Sequence, residues 1–225
     1  MLIAAYLKFH ITPLNTVNTT LNEMVSTCGY SVKGNSKETN AVFKEALKEM
    51  IEDKYIRIDN IDEIKNSQFF IIYCNYSKLF HCASNFVLLS YEEFKVITTS
   101  NTSTKKTNLL HGYLLIKQYI YDSLIVNCPK LAYPSKKDIT DKLGFSSDTS
   151  TETLLNELVE LKLLYVKTGM YIKKDDKLVP TRNVYAIDKK QLKYAVNVLK
   201  KFYGVNYIYT ASGKSQKDLK FQETD

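Results

Sequence analysis

Ser135-Lys136-Lys137-Asp138-Ile139-Thr140-Asp141-Lys142-Leu143-Gly144-Phe145 decides how this chain reads. Ser135 can cap a helix, and Asp138, three residues on, stands where a capping-box acid would sit. Ile139 and Leu143 share a face at i, i+4, and Gly144 supplies a left-handed stop. Ser147 or Asp148 caps a longer helix in which Leu154, Leu155, Leu158 and Val159 form an apolar stripe at helical spacing. Leu163-Leu164-Tyr165-Val166 then reads as a strand and Gly169 opens a turn. Lys173-Lys174-Asp175-Asp176-Lys177 reads as a polar loop, and Asn183–Ile187 as the returning strand. Upstream, Leu110, Tyr113, Leu114, Lys117 and Tyr121 mark a helix over Thr107–Asp122. Ala132-Tyr133 is expected to be the small strand pairing with the wing.

Helix, small strand, helix, turn, helix, strand, basic loop, strand is the layout of a winged helix. The first half repeats it more weakly. Glu49-Met50-Ile51-Glu52-Asp53-Lys54 before Tyr55–Ile58 matches Glu157-Leu158-Val159-Glu160-Leu161-Lys162 before Leu163–Val166. Gly29-Tyr30 likewise matches Gly144-Phe145. In this copy Asn18 or Thr19 is expected to cap a helix through Cys28, and Thr39–Asp53 to form the second. Strands Tyr55–Ile58 and Phe69–Tyr73 would flank a wing at Asn60–Ser67. Asp59, Asp62 and Glu63 make that wing acidic, better suited to dimerisation than to gripping phosphate. Phe86–Leu89 reads as a strand, Tyr91–Ile97 as a short helix and Gln191–Tyr203 as a further helix. The expected fold is α+β, mainly α-helical, with tandem winged-helix (helix-turn-helix) domains and small antiparallel wings. The domains fall at 1–98 and 107–205, with a polar linker at 99–106 and a polar tail at 206–225.

Composition sets the functional classes. The chain has 225 residues, 44% apolar and 24% charged, which suits a globular protein with a real core. No uncharged stretch reaches the roughly 18 apolar residues a spanning helix needs, so no membrane role is expected. Met1–Phe9 carries Lys8 and leads into no small-residue cleavage site, so a cytoplasmic protein is expected. The net charge of +7 is uneven. Residues 1–104 hold 10 Lys/Arg against 11 Asp/Glu, and residues 105–225 hold 21 against 13. The surplus lies in the second half, as expected where that half meets a polyanion.

Metal and catalytic chemistry find little support. Cys28, Cys74, Cys82 and Cys128 form no C-x-x-C pair, and His81-Cys82 lacks the second ligand pair that structural zinc requires. His10, His81 and His111 are isolated. Gly213-Lys214-Ser215 lacks the earlier glycine of a phosphate-binding loop, which would fall at Ile208. No cofactor, no metal and no enzyme activity are expected.

Phe86–Phe94, Leu109–Tyr121, Tyr133–Ile139, Thr151–Leu164 and Arg182–Tyr185 together resemble the winged-helix domain of replication initiators of Gram-positive plasmids and prophages, replisome-organiser proteins included. The resemblance spans roughly residues 86–190. It implies binding to repeated origin sites and recruitment of host replication proteins. A transcriptional regulator would share the same scaffold, and a protein-interaction module that never touches DNA is the reading from another class.

A helix in the major groove presents its N-terminal residues to base edges. Here those are Ser147, Asp148, Thr149, Ser150, Thr151 and Thr153, with Asn156 a turn further on. Lys136 and Lys137 could meet phosphate, as could Lys167, Lys173, Lys174, Lys177 and Arg182 on or beside the wing. The first-copy equivalents are Asn35, Ser36, Lys37, Thr39, Asn40 and Lys44. Neither recognition helix holds Arg, the usual reader of guanine, so AT-rich double-stranded DNA repeats are the expected target. A homodimer or paired domains would span two half-sites, with the apolar face of Gln191–Tyr203 as the self-association surface.

Overall fold

A computed structural model describes residues 1–32, 36–80, 87–122 and 130–215. His81, Cys82, Phe86, Cys128 and the segment 216–225 lie outside them. The chain is α+β, mainly helical with small antiparallel sheets. It divides into two compact units, Met1–Leu110 and His111–Asp225. The division falls inside a helix and not in the polar run before it. That run is organised around one cation: the Lys106 ammonium donates to the Ser100 carbonyl and hydroxyl and to Thr102 Oγ1.

The first unit begins with α1 (Leu2–His10), which the sequence reading passed over. Strand β1 (Thr16–Thr19) follows, then α2 (Leu21–Thr27) and α3 (Ser36–Glu52). Strands β2 (Ile56–Arg57) and β3 (Phe70–Cys74) complete a three-stranded sheet of order β1-β3-β2. Two short helices close the unit, α4 (Tyr76–Phe80) and α5 (Tyr91–Thr99). Residues Val87–Ser90 precede α5 without strand structure, so the expected strand there is not formed over its described part.

Thr19 is a strand residue and not a cap. Its buried hydroxyl pairs with the Tyr6 phenol at 2.7 Å, and Thr20 caps α2 by accepting the Glu23 amide proton. The loop between β2 and β3 folds back on α3: Lys48 pairs with Asp62 at 2.8 Å, and Lys44 donates to the Asp62 and Ile64 carbonyls. Its acidity is therefore partly neutralised from within.

In the second unit, α6 (Lys106–Asp122, from His111 on), α7 (Lys136–Leu143) and α8 (Asp148–Glu160) precede four strands: β4 (Tyr165–Lys167), β5 (Tyr171–Lys174), β6 (Lys177–Pro180) and β7 (Val184–Ala186). β4 pairs with β7, and where a small strand is expected Ala132 forms a single antiparallel bridge to Tyr185. The stretch read as a polar loop is instead a second hairpin, β5–β6, turning at Asp175-Asp176. Both turn residues have positive φ, 48° and 60°, the two-residue turn whose twist matches its strands.

A 3-10 turn (Lys189–Tyr194) leads into α9 (Ala195–Tyr203). Val196 and Leu199 pack with Leu131, Met170, Val184 and Ala186 in this unit's core. The apolar face assigned to self-association is thus consumed within the unit. The polar tail also starts later than expected. Ile208 is 0% exposed within the same cluster, and burial of such a side chain is worth about 1.5–3 kcal/mol.

Candidate nucleic-acid interface

Local sequence builds the α7–α8 pair. Ser135 and Asp138 form the full capping box, Gly144 ends α7 at φ 66°, and Ser147 caps α8 by accepting the Ser150 amide proton. One hydroxyl then fastens the two helices. Thr140 Oγ1 lies 2.8 Å from Thr151 Oγ1, 2.8 Å from Asp148 Oδ1 and 2.9 Å from the Lys136 carbonyl. Lys136 reaches Glu152 at 2.9 Å, which holds its ammonium above the usual lysine range. Hydrogen bonds from the Ser135 hydroxyl and amide hold the Asp138 carboxyl below its usual range.

This arrangement sorts the predicted readers. Thr151 is 0% exposed and bonded to Thr140, so it cannot meet a base and is withdrawn. Asp148 accepts from Thr140, the capping-type alternative to contact. Ser147 is the cap itself. Thr149, Ser150, Thr153 and Asn156 are exposed, and Thr149, Thr153 and Asn156 recur at i, i+4, i+7 along one face. Glu152 lies among them, its carboxylate joined to Lys136. Lys137 is exposed at the start of α7.

The β-ribbon sorts the cations. Lys167 is exposed on β4. Lys174 and Lys177 sit opposite each other beside the turn, on one face of the hairpin, while Lys173 is on the other and pairs with Asp176 at 2.8 Å. That ion pair raises the Lys173 pKa and lowers that of Asp176. Arg182 is structural and is withdrawn as a phosphate contact. Its backbone amide donates to the Tyr203 hydroxyl, and its guanidinium donates to the Tyr133 carbonyl at 3.4 Å. That group also lies 3.8 Å from Asp138 and over the Phe202 ring.

The first unit offers less. Asn35 and the side chains of Ser36 and Lys37 lie outside the described residues. Asn40 is 2% exposed and donates to Asn22 Oδ1 at 2.9 Å, and Lys44 serves the loop carbonyls, so both are withdrawn as readers. Thr39 remains, half-buried.

The sequence reading passed over Tyr171, Tyr207 and Tyr209. Their common setting depends on a bridge between Tyr171 and Tyr209 that no local pattern announces. Among the described residues no group of three His, Cys, Asp or Glu is placed to hold a metal ion. No helix formed by these residues is long and apolar enough to cross a membrane. Compared with protein-family models, curated proteins and solved structures, the chain matches none of them.

Proposed function

We propose that the chain is a sequence-specific double-stranded DNA-binding protein of a plasmid or prophage, built on tandem winged helices and acting at origin repeats in replication initiation. The observation that carries this reading is the outward polar face of α8. Thr149, Ser150 and Thr153 stand exposed toward its N-terminal end and Asn156 a turn further on, on a helix locked to α7 by Thr140. That is the end a recognition helix offers to base edges. Two further features support it. Both units follow the order helix, strand or bridge, helix, helix, strand, strand, and the second also carries an exposed lysine hairpin. The hydroxyl and amide groups on α8 suit adenine edges and thymine methyls, hence an AT-rich site.

On this reading α8 specifies, and Lys167, Lys174, Lys177 and Lys137 anchor to phosphate. One such module covers few base pairs, so a homodimer or the two units together span paired half-sites. The protein works in the cytoplasm and brings host replication proteins to the origin. Mapping the sites bound in host and element DNA tests the assignment. Clustered repeats at an origin are expected. Sites at promoters alone would make the protein a transcriptional regulator. Absence of salt-dependent duplex binding would leave a protein-interaction module.

A further inference from the structure

Beyond the hairpin, one side of the second unit collects tyrosines. Tyr171 on β5 and Tyr209 exchange both backbone hydrogen bonds, at 2.9 and 2.8 Å, a single antiparallel bridge beside the β5–β6 hairpin. Residues bridged in this way point to the same face, and alternate residues along a strand do too. Tyr171, Lys173 and Tyr209 therefore share one face, and the Tyr207 ring lies beside that of Tyr209. Ile172 and Ile208 point the other way, into or against the unit's core. Tyr207 is 57% exposed, its ring centroid lies 6.4 Å from that of Tyr209, and the Lys200 ammonium sits over it at 5.5 Å.

The charges nearest this face are Lys200, over Tyr207, and Lys173, which Asp176 partly neutralises. From Lys189 through Lys217 the sequence carries seven lysines and no Asp or Glu. Among the described residues, no carboxylate pairs with Lys189, Lys190, Lys193 or Lys201. A basic amphipathic helix can also lie on a lipid surface, but the apolar side of α9 is already buried in the core. Tyrosine rings gathered on one side and edged by Lys200 suit a ligand with π-faces and phosphates whose bases are not already stacked on partners.

We propose that the Tyr171–Tyr207–Tyr209 face, edged by Lys200, binds single-stranded nucleic acid by stacking its bases. It lies on the opposite side of the hairpin from Lys174 and Lys177, and it does not depend on duplex binding by α8.

The full chain is titrated with labelled thymidine and uridine homopolymers, with an unlabelled duplex of equal length, and with anionic phosphatidylglycerol vesicles. Both homopolymers should bind with quenching of tyrosine emission, the tighter one naming DNA or RNA as the natural source. Tyr207→Ala should weaken strand binding about tenfold, and Tyr207→Phe should restore it. Lys200→Ala should flatten the salt slope for single strands by about 0.7. Asn156→Ala should leave strand binding unchanged while changing duplex preference, which separates failure of this proposal from failure of the duplex reading. Wild-type affinity in Tyr207→Ala overturns it. Equal weakening of strand and duplex by that exposed substitution overturns it as well, as does Tyr207-dependent binding to vesicles.

Discussion

Lys54 and Lys162 adopt the same left-handed backbone, each at φ 59°, each one residue removed from the end of its helix, α3 and α8. Their hydrogen bonds match: Lys54 donates to the Ile51 carbonyl and Tyr55 to Met50, while Lys162 donates to Val159 and Leu163 to Leu158. The weak sequence repeat thus has a physical counterpart, a helix stop built twice. A side chain in this conformation costs about 1–2 kcal/mol, which glycine would not incur. Lys54→Gly and Lys162→Gly should each raise stability by about 1 kcal/mol, read from urea midpoints. A loss in both would refute strain at these sites.

Thr140 is the fastener between α7 and α8, and its partners differ in solvent access. Thr151→Val removes one buried hydroxyl and should cost about 1 kcal/mol. Thr140→Val strands the buried Thr151 hydroxyl, so about 1–3 kcal/mol should be lost. Neither change should alter base preference in a competition assay on matched and scrambled duplexes, except through loss of folded protein.

The duplex reading makes two separable demands. Replacing Lys174 and Lys177 by Ala should weaken all duplexes alike and flatten the slope of log affinity against log salt by about one to two units. Asn156→Ala should relax base preference by about 1–3 kcal/mol on the preferred site for a good bidentate contact, and Thr153→Ala, which removes one hydroxyl and a methyl, by less. If the lysine variant changes preference and the α8 variants change only general affinity, the two roles have been exchanged.

Gly29 and Gly144 carry the same sequence signal, glycine before an aromatic, and should respond differently. A Cβ at Gly29 would lie 2.0 Å from the Thr98 carbonyl oxygen, with φ at 84°. A Cβ at Gly144, φ 66°, meets nothing within 4 Å. Gly144→Ala should therefore cost only the left-handed penalty of about 1–2 kcal/mol. Gly29→Ala must also move backbone, and should cost distinctly more or fail to accumulate as folded protein. Similar midpoints for the two variants would contradict this.

Burial pushes the Cys28 thiol up to about 12 and the Cys74 thiol up to about 11. At pH 8 only about one Cys74 thiol in a thousand is then thiolate, so native protein should resist alkylation at both sites, as peptide mapping would show. Burial likewise raises Tyr6 to about 12. In each case the folded state holds its proton to higher pH than the unfolded chain. Stability from these groups is present up to about pH 9 and falls as pH rises toward 12. A flat denaturation midpoint between pH 8.5 and 11 would count against the assigned environments.

Much of the second unit was legible because its signals are local. Ser135, Asp138 and Gly144 fix both ends of α7 within ten residues, and Ser147 starts α8 in the same way. The misreadings have equally specific causes. Thr151 and Asn40 look like readers because they are polar near a helix start, yet each hydrogen-bonds a distant residue that buries it, Thr140 and Asn22. Helix α1 has no side-chain cap and carries apolar residues on most sides, so it offered no start signal. Strand β1 holds Thr19 inward, tolerable because Tyr6, the Thr20 carbonyl and Glu23 meet its hydroxyl. Asp175-Asp176 lacks the glycine that usually marks a two-residue hairpin turn, and Lys-Lys-Asp-Asp-Lys therefore reads as solvated loop.

The β5–β6 hairpin bears on how this protein can change over time. Its two sides carry different chemistry, Lys174 and Lys177 on one and Tyr171 and Lys173 on the other, separated only by the alternation of a strand. Inserting or deleting one residue within β5 would exchange the sides wholesale, turning Ile172 outward and the tyrosine inward. Point substitutions here can be sampled one at a time, whereas changes of length must come in pairs. Lineages descended from this chain should hold the spacing of these residues even.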